Sequence, residues 1–291
     1  MKALRTIRNE LYKNSFNMGY VLAVLIVTLL AFTGQAYHDP VHGKLYSILE
    51  AAYSFGAEFK NSEYILSRNY ILRAGLNGYI TMFITVVCAF PVIVSFGAQK
   101  NSGYIRFEIA RSRAAGYWVC RFFAAVVCAG MSVVLGMLLY ELLLLFMFPA
   151  TAVSMFEGMG EELTAMLYRP PVQVIANVLL ASFIYGMVSV LPALILSVFS
   201  SNPYVTTCIP FVLCYVWKSI MDKEISSLVV DMKTEASDVL QAFTPDAPSK
   251  LYIIGGPGST GNYTLIAVAI YLLAALIIYV TGMCLHTDRG R

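Results

Sequence analysis

Gly255 to Asn262 reads GGPGSTGN, a glycine-rich stretch of the kind whose backbone amides cradle phosphate. Gly256, Gly258 and Gly261 satisfy the dinucleotide-binding spacing, and the same run half-satisfies a phosphate loop. Both motifs need a strand before the glycines, and the phosphate loop needs a lysine. No strand pattern precedes this stretch and Asn262 stands where the lysine belongs, so it reads as a turn feeding the last apolar run. Asn262-Tyr263-Thr264 matches a glycosylation acceptor by pattern alone and abuts that run. The six cysteines, Cys88, Cys120, Cys128, Cys208, Cys214 and Cys284, lie in or at the ends of apolar runs without a CxxC pair. That argues against a disulfide framework and against zinc. His38, His42 and His286 are too scattered for metal chemistry. No Ser-His-Asp, Cys-His or paired-carboxylate arrangement falls inside the apolar runs, as intramembrane proteolysis would need.

What the sequence does carry is placed charge. Lys100 to Arg121 holds Lys100, Arg106, Arg111, Arg113 and Arg121 against one acid, Glu108. Apolar runs long enough to cross a bilayer flank it on each side. The whole chain is 58% hydrophobic and 13% charged, against about 25% charged for a soluble domain. The fold class expected is therefore an all-α membrane protein, with spans at about 17–37, 76–98, 122–146, 172–199, 204–221 and 263–285. The run from Pro170 to Trp217 has no charge and is too long for one span; Ser200-Ser201-Asn202-Pro203 supplies the turn that divides it. Pro91 interrupts the second span and is expected to kink it or free a carbonyl, and Pro192 and Pro210 sit inside the fourth and fifth. Glu141 falls about 30 Å from Arg121 along a helix, where a water-exposed carboxylate is expected.

Residues 1–16 place Leu4, Ile7 and Leu11 on one helical face with Lys2, Arg5, Arg8 and Lys13 largely elsewhere. This is the pattern of a helix in the interface plane on anionic lipid headgroups, or of a charged flank that orients the first span. It lacks a small-x-small cleavage site, so it does not read as a removable signal. Leu45, Ile48, Leu49 and Ala52 predict a surface helix in the first long loop. Ile225, Leu228, Val229, Met232, Ala236, Val239 and Leu240 predict an amphipathic helix in the last long loop, closed by TPDAP. Residues 149–170 form a short acidic loop with Glu157, Glu161 and Glu162. With six spans, one side collects eleven Lys and Arg against Glu10, Glu108 and Asp288, while the other holds nine against thirteen acids over more than twice the length. The positive-inside bias then puts both termini and the 100–121 loop in the cytoplasm. The spans hold no charge near mid-depth, so the driving energy is expected to come from another chain, although freed carbonyls at the prolines or an uncharged pore remain possible.

The order of these parts resembles the membrane subunits of type-2 ATP-binding-cassette exporters, the ABC-2 permeases. The likeness in residues lies in FGAQKNSGYIRFEIARSRAAGYWVCRF, where Gln99, Gly103, Ser112-Arg113, Tyr117 and Arg121 match the family's inner pattern. Gln99-Lys100-Asn101 replaces the usual Glu before the glycine, and Arg111 replaces the usual proline. The resemblance implies that the inner segment is a coupling helix seated on a separate ATPase. Ile105 to Arg113 would be its docking surface, with Phe107 and Ile109 as apolar plugs and Arg106, Glu108 and Arg111 as charge partners. A solvated basic loop that only sets topology is the alternative. The resemblance further implies two ATPase subunits, a second permease copy as homo- or heterodimer, and a bacterial cell membrane. The chain itself would hold no cofactor and no nucleic acid and would not be an enzyme, with ATP and Mg in the partner. Phe83, Phe90, Phe211 and Tyr215 would line the cargo pathway, or else face lipid or pack between helices. Expected cargo is a small peptide such as a toxin or bacteriocin, a drug or a lipid-linked molecule. An ion-coupled carrier or channel without an ATPase is the other functional reading, and a structural or sensory protein a third.

Overall fold

The computed structural model describes residues 2–39, 43–101, 104–111, 114–151, 169–200, 202–230, 234–252 and 259–289. It is almost entirely helical. Helix α1 (Lys2–Ser15) meets α2 (Met18–Ala31) at a 64° bend. The bend sits at Asn17, whose side chain accepts the Gly19 N–H at 3.2 Å and so starts a new helix. A hairpin of β1 (Gln35–His38) and β2 (Leu45–Ser47) follows, then α3 (Ile48–Ser54), α4 (Ala57–Ser62) and α5 (Arg68–Ala74). The long elements come next: α6 (Ile80–Asn101), the short α7 (Tyr104–Arg111) and α8 (Ala114–Met147). After them come α9 (Pro171–Ser189), α10 (Leu191–Phe199), α11 (Pro203–Val230), α12 (Thr234–Ala242) and α13 (Ser259–Arg289).

Among the described residues five units are long and apolar enough to cross a membrane, namely α6, α8, α9 with α10, α11 and α13, and α1 with α2 makes a sixth if the bent pair counts as one span. Alone, α2 covers about 21 Å, short of the roughly 30 Å hydrocarbon core. The fourth span is broken at Val190, where Pro192 in the first turn of α10 has no N–H to continue the α9 ladder. Ser200 and Asn202 make the turn into α11 as the sequence predicts: Asn202 Oδ1 accepts the Tyr204 N–H at 3.0 Å.

Helices α6 and α8 form the centre, each with 61% of its span buried, whereas α11 and α13 lie outside with 17% and 22% buried. Close packing at the centre depends on small residues. At the crossing of α8 and α9, a Cβ on Gly186 would stand 2.8 Å from the Ala129 carbonyl and 2.9 Å from the Gly130 Cα. Where α2 meets α8, Thr28 Oγ1 donates to the Gly136 carbonyl at 3.0 Å. Gly78 takes φ +86° in the turn before α6, a conformation that favours glycine.

Three segments differ from the sequence reading. The predicted surface helix begins later, at Ile48, because Ser47 and Glu50 form a reciprocal capping box there; Leu45 falls on β2 instead. The helix that carries the fifth span does not stop near Met221: no glycine or proline interrupts Lys218 to Val230, so α11 runs on as one helix and α12 folds back against α13. The helix that carries the third span begins before Phe122, at Ala114, which puts Arg121 inside α8. The acidic residues Glu157, Glu161 and Glu162 lie outside the described residues, as do Gly256 and Gly258; Gly261 and Asn262 form part of the first turn of α13.

Replacing Gly186 with Leu is expected to push α8 and α9 apart. Overpacking of this kind costs about 1–3 kcal/mol, read as a lower midpoint in thermal denaturation of the detergent-solubilised protein.

Candidate functional site

Arg121 is the place to begin, because α8 carries it to a position only 5% exposed. A buried guanidinium needs partners. Its Nη1 donates to Gln99 Oε1 at 2.9 Å, from the end of α6, and to the Tyr117 phenolic oxygen at 2.7 Å, one turn back on α8. Glu10 Oε2 of α1 lies 3.6 Å away, and the guanidinium sits over the Phe96 ring at 4.5 Å. Glu10 is itself 1% exposed and takes Lys13 Nζ at 3.0 Å. Lys13 reaches across to Glu108 Oε1 on α7 at 2.6 Å. The Tyr117 hydroxyl donates to the other oxygen of Glu108 at 2.7 Å. The ring of contacts is closed: Glu10, Lys13, Glu108, Tyr117 and Arg121 link α1, α7 and α8, and Gln99 adds α6. Among the described residues of the cluster two acids and two bases balance.

This arrangement explains how α1 packs. Its buried residues are Glu10 and Asn14, with Ile7 and Leu11 part-buried beside them and Leu4 exposed. Leu4, Tyr12 and Phe16 are exposed, mixed with the exposed Arg5 and Arg8. An outward surface of aromatic, aliphatic and basic residues suits a lipid interface.

On α7, Ile105 is buried and Ile109 packs against the core, one turn apart on the same face as Glu108. Phe107 points the other way and is 72% exposed. Arg106 and Arg111 belong to the helix, but their side chains lie outside the described residues, as does the whole of Arg113. The structure therefore divides the sequence-derived set: Ile105, Glu108 and Ile109 hold α7 to the bundle, and Phe107 faces away from it.

The other four candidates are not one constellation. Phe83 of α6 and Phe211 of α11 stack at 5.4 Å and 12°. Phe90 is half-exposed and lies near Gly19, where α2 passes α6. Tyr215 borders a cavity of about 1000 Å³ at the end of the bundle remote from α7.

Sequence reasoning missed Glu10, Lys13 and Tyr117 as a unit with Arg121. A signal was present: Glu10 and Glu108 are each the lone acid in a basic segment. Glu141 is also corrected. It is 7% exposed, not water-exposed, and ion-pairs with Arg68 of α5 at 3.1 Å. Tyr140 beside it donates to the Ile71 carbonyl at 3.0 Å. A third buried acid, Asp246, follows α12. It accepts Lys218 of α11 at 3.0 Å and stands 3.4 Å from Lys250. Burial alone would raise its pKa, but Lys250 and Lys218 together outweigh this and hold the carboxyl below its ordinary value of 3.8.

Two outcomes are expected. Arg121→Met leaves Glu10 buried without its guanidinium, which costs about 3–5 kcal/mol, while adding Glu10→Gln recovers part of the loss; a double-mutant cycle on thermal midpoints measures the coupling. For Asp246 the depressed pKa means stability that is present above 3.8 and lost as pH falls through the lowered value. Asp246→Asn should flatten that acid limb and lower the midpoint at neutral pH, read by thermal denaturation across pH.

No protein-family model matches this chain, and none of the curated proteins matches it.

Proposed function

We propose that this chain is the membrane-spanning permease subunit of an ATP-driven exporter of the ABC-2 kind, with α7 as the helix that receives force from a separate ATPase. The observation that carries this reading is the two-sided character of α7. One face is fastened through Ile105, Glu108 and Ile109. The opposite side presents Phe107, a large exposed apolar side chain on a short helix that also carries Arg106 and Arg111. An exposed aromatic flanked by charge is the usual make-up of a protein-docking anchor.

The fastening gives the docking a consequence. A push on the Phe107 side bears on Glu108, whose two oxygens are held by α1 and α8. Helix α8 is 34 residues long, about 51 Å, and runs the full depth of the bundle. Displacement of α7 would therefore reach the opposite end through one continuous element. In this reading α7 and both termini face the cytoplasm, two such subunits enclose the pathway above two ATPases, and the cargo is an amphipathic or hydrophobic molecule. The charged residues of α8, Arg121 and Glu141, lie toward its ends, which favours an external energy source over an ion bound at mid-depth on that helix. On α11 the charges begin at Lys218, just past its middle, where Lys218 is paired with Asp246.

The test is affinity purification of the chain in mild detergent from its own cells, with vanadate-sensitive ATP hydrolysis as the readout. Wild type should bring down a nucleotide-hydrolysing subunit. Phe107→Asp should lose most of it, about tenfold or more for a central apolar anchor, with an unchanged thermal midpoint. Transport that persists without any hydrolase and collapses with an ionophore would establish the ion-coupled carrier instead.

A further inference from the structure

The coupling reading leaves unexplained the cavity at the end remote from α7. It holds about 1000 Å³, at the upper end of the range for small-molecule sites. Helices α6, α9, α10, α11 and α13 wall it, and the hairpin and the residues after α12 close over it. It lies within one chain. We propose that this cavity is a binding site for a hydrophobic organic cation.

Two features of the wall select that chemistry. The first is its ring surface. Tyr79, Tyr185, Tyr215, Trp217, Phe243 and Tyr271 all border the space. Three of them are braced: Trp217 Nε1 and the Tyr271 hydroxyl both donate to the Phe243 carbonyl, at 3.3 and 2.8 Å. Aromatic faces attract a cation, the more so where the site is dry. The second is charge. The lining holds three carboxylates, Glu50, Asp222 and Asp246, against one ammonium, Lys218. Lys218 is already paired with Asp246, which Lys250 also approaches. Glu50 and Asp222 thus leave the lining itself negative, with Lys44 near Glu50 and Lys250 near Asp246 outside it, and the two carboxylates are exposed, so they stand at its mouth. Glu50 is kept ionised by the Ser47 N–H and hydroxyl, with Lys44 nearby as a weaker influence. An anion of the same shape meets repulsion at the mouth and the negative faces of the rings inside. A small hydrophilic cation would leave the apolar wall wet.

The site is contained in one chain, so it is measured without any partner and its fate is separate from that of the ATPase reading. The chain has two tryptophans, Trp118 near α7 and Trp217 in the cavity wall. A Trp118→Phe background therefore makes Trp217 the sole indole reporter. The probes are tetraphenylphosphonium and tetraphenylborate, which share size and shape and differ in sign, titrated into the detergent-purified chain. The expected result is saturable quenching by the phosphonium ion and only unsaturable change with the borate. Glu50→Gln with Asp222→Asn should weaken phosphonium binding about three- to tenfold, and Phe107→Asp should leave it unchanged. Equilibrium dialysis of the phosphonium ion against the wild-type chain repeats the measurement without the tryptophan substitution. Partition into micelles without saturation, equal affinity for both ions, or indifference to the two carboxylate substitutions would each overturn the proposal.

Discussion

A buried charge in this chain has to find its opposite, and the end of the bundle around α7 is built by that requirement. Arg121 lies inside α8 and Glu10 inside the contact of α1 with α8. Neither could stay there alone, since stripping water from an ion costs several kcal/mol before any partner is counted. Lys13, Glu108, Tyr117 and Gln99 complete the pairing, and in doing so they decide which way α1 and α7 face. The exposed surfaces of both short helices follow from this: Leu4, Tyr12 and Phe16 on α1, and Phe107 on α7. The same rule operates at the far end, where Arg68 holds Glu141 and two lysines hold Asp246.

Between the two polar ends the bundle is held by shape. A helix in lipid gains little by exchanging lipid for another apolar helix, so close contact must supply the attraction. Gly130 and Gly186 let α8 and α9 approach until backbone meets backbone, and Gly136 does the same for α2. This concentrates contact on α6 and α8 and leaves α11 and α13 outside. Their lesser burial is also why a cavity can exist. The space lies between these helices and α6, α9 and α10, and the hairpin and the segment after α12 border it.

The two ends are thus different in kind. Around α7 the polar groups of Glu10, Lys13, Glu108, Tyr117 and Arg121 pair within the chain, and among the described side chains of α7 Phe107 faces outward. At the other end the rings and carboxylates surround an empty volume that is apolar and negative at once. On the readings proposed above, one end meets a protein and the other a small ligand, and α8 runs between them.

The apolar runs, their separation by turns and the sidedness of charge were legible from residue order alone, because a span needs only length and the lack of charge. So was the Ser200–Asn202 turn, whose side chains act on their own neighbours. Local chemistry also set the start of α3, although the periodicity of Leu45 and Leu49 obscured the stronger Ser47–Glu50 cap. Other features depended on residues far apart in the chain. Lys13 and Glu108 are 95 positions apart, Arg68 and Glu141 are 73, and the cavity joins residues from Thr33 to Ala275. No periodicity reports such pairs, since each member taken alone is a charge near the end of an apolar run. Residue order determined that the chain is a greasy helical body with basic and acidic sides. Only the packing of helices decided which charges are buried, because burial depends on what crosses in front of a side chain and not on the side chain itself.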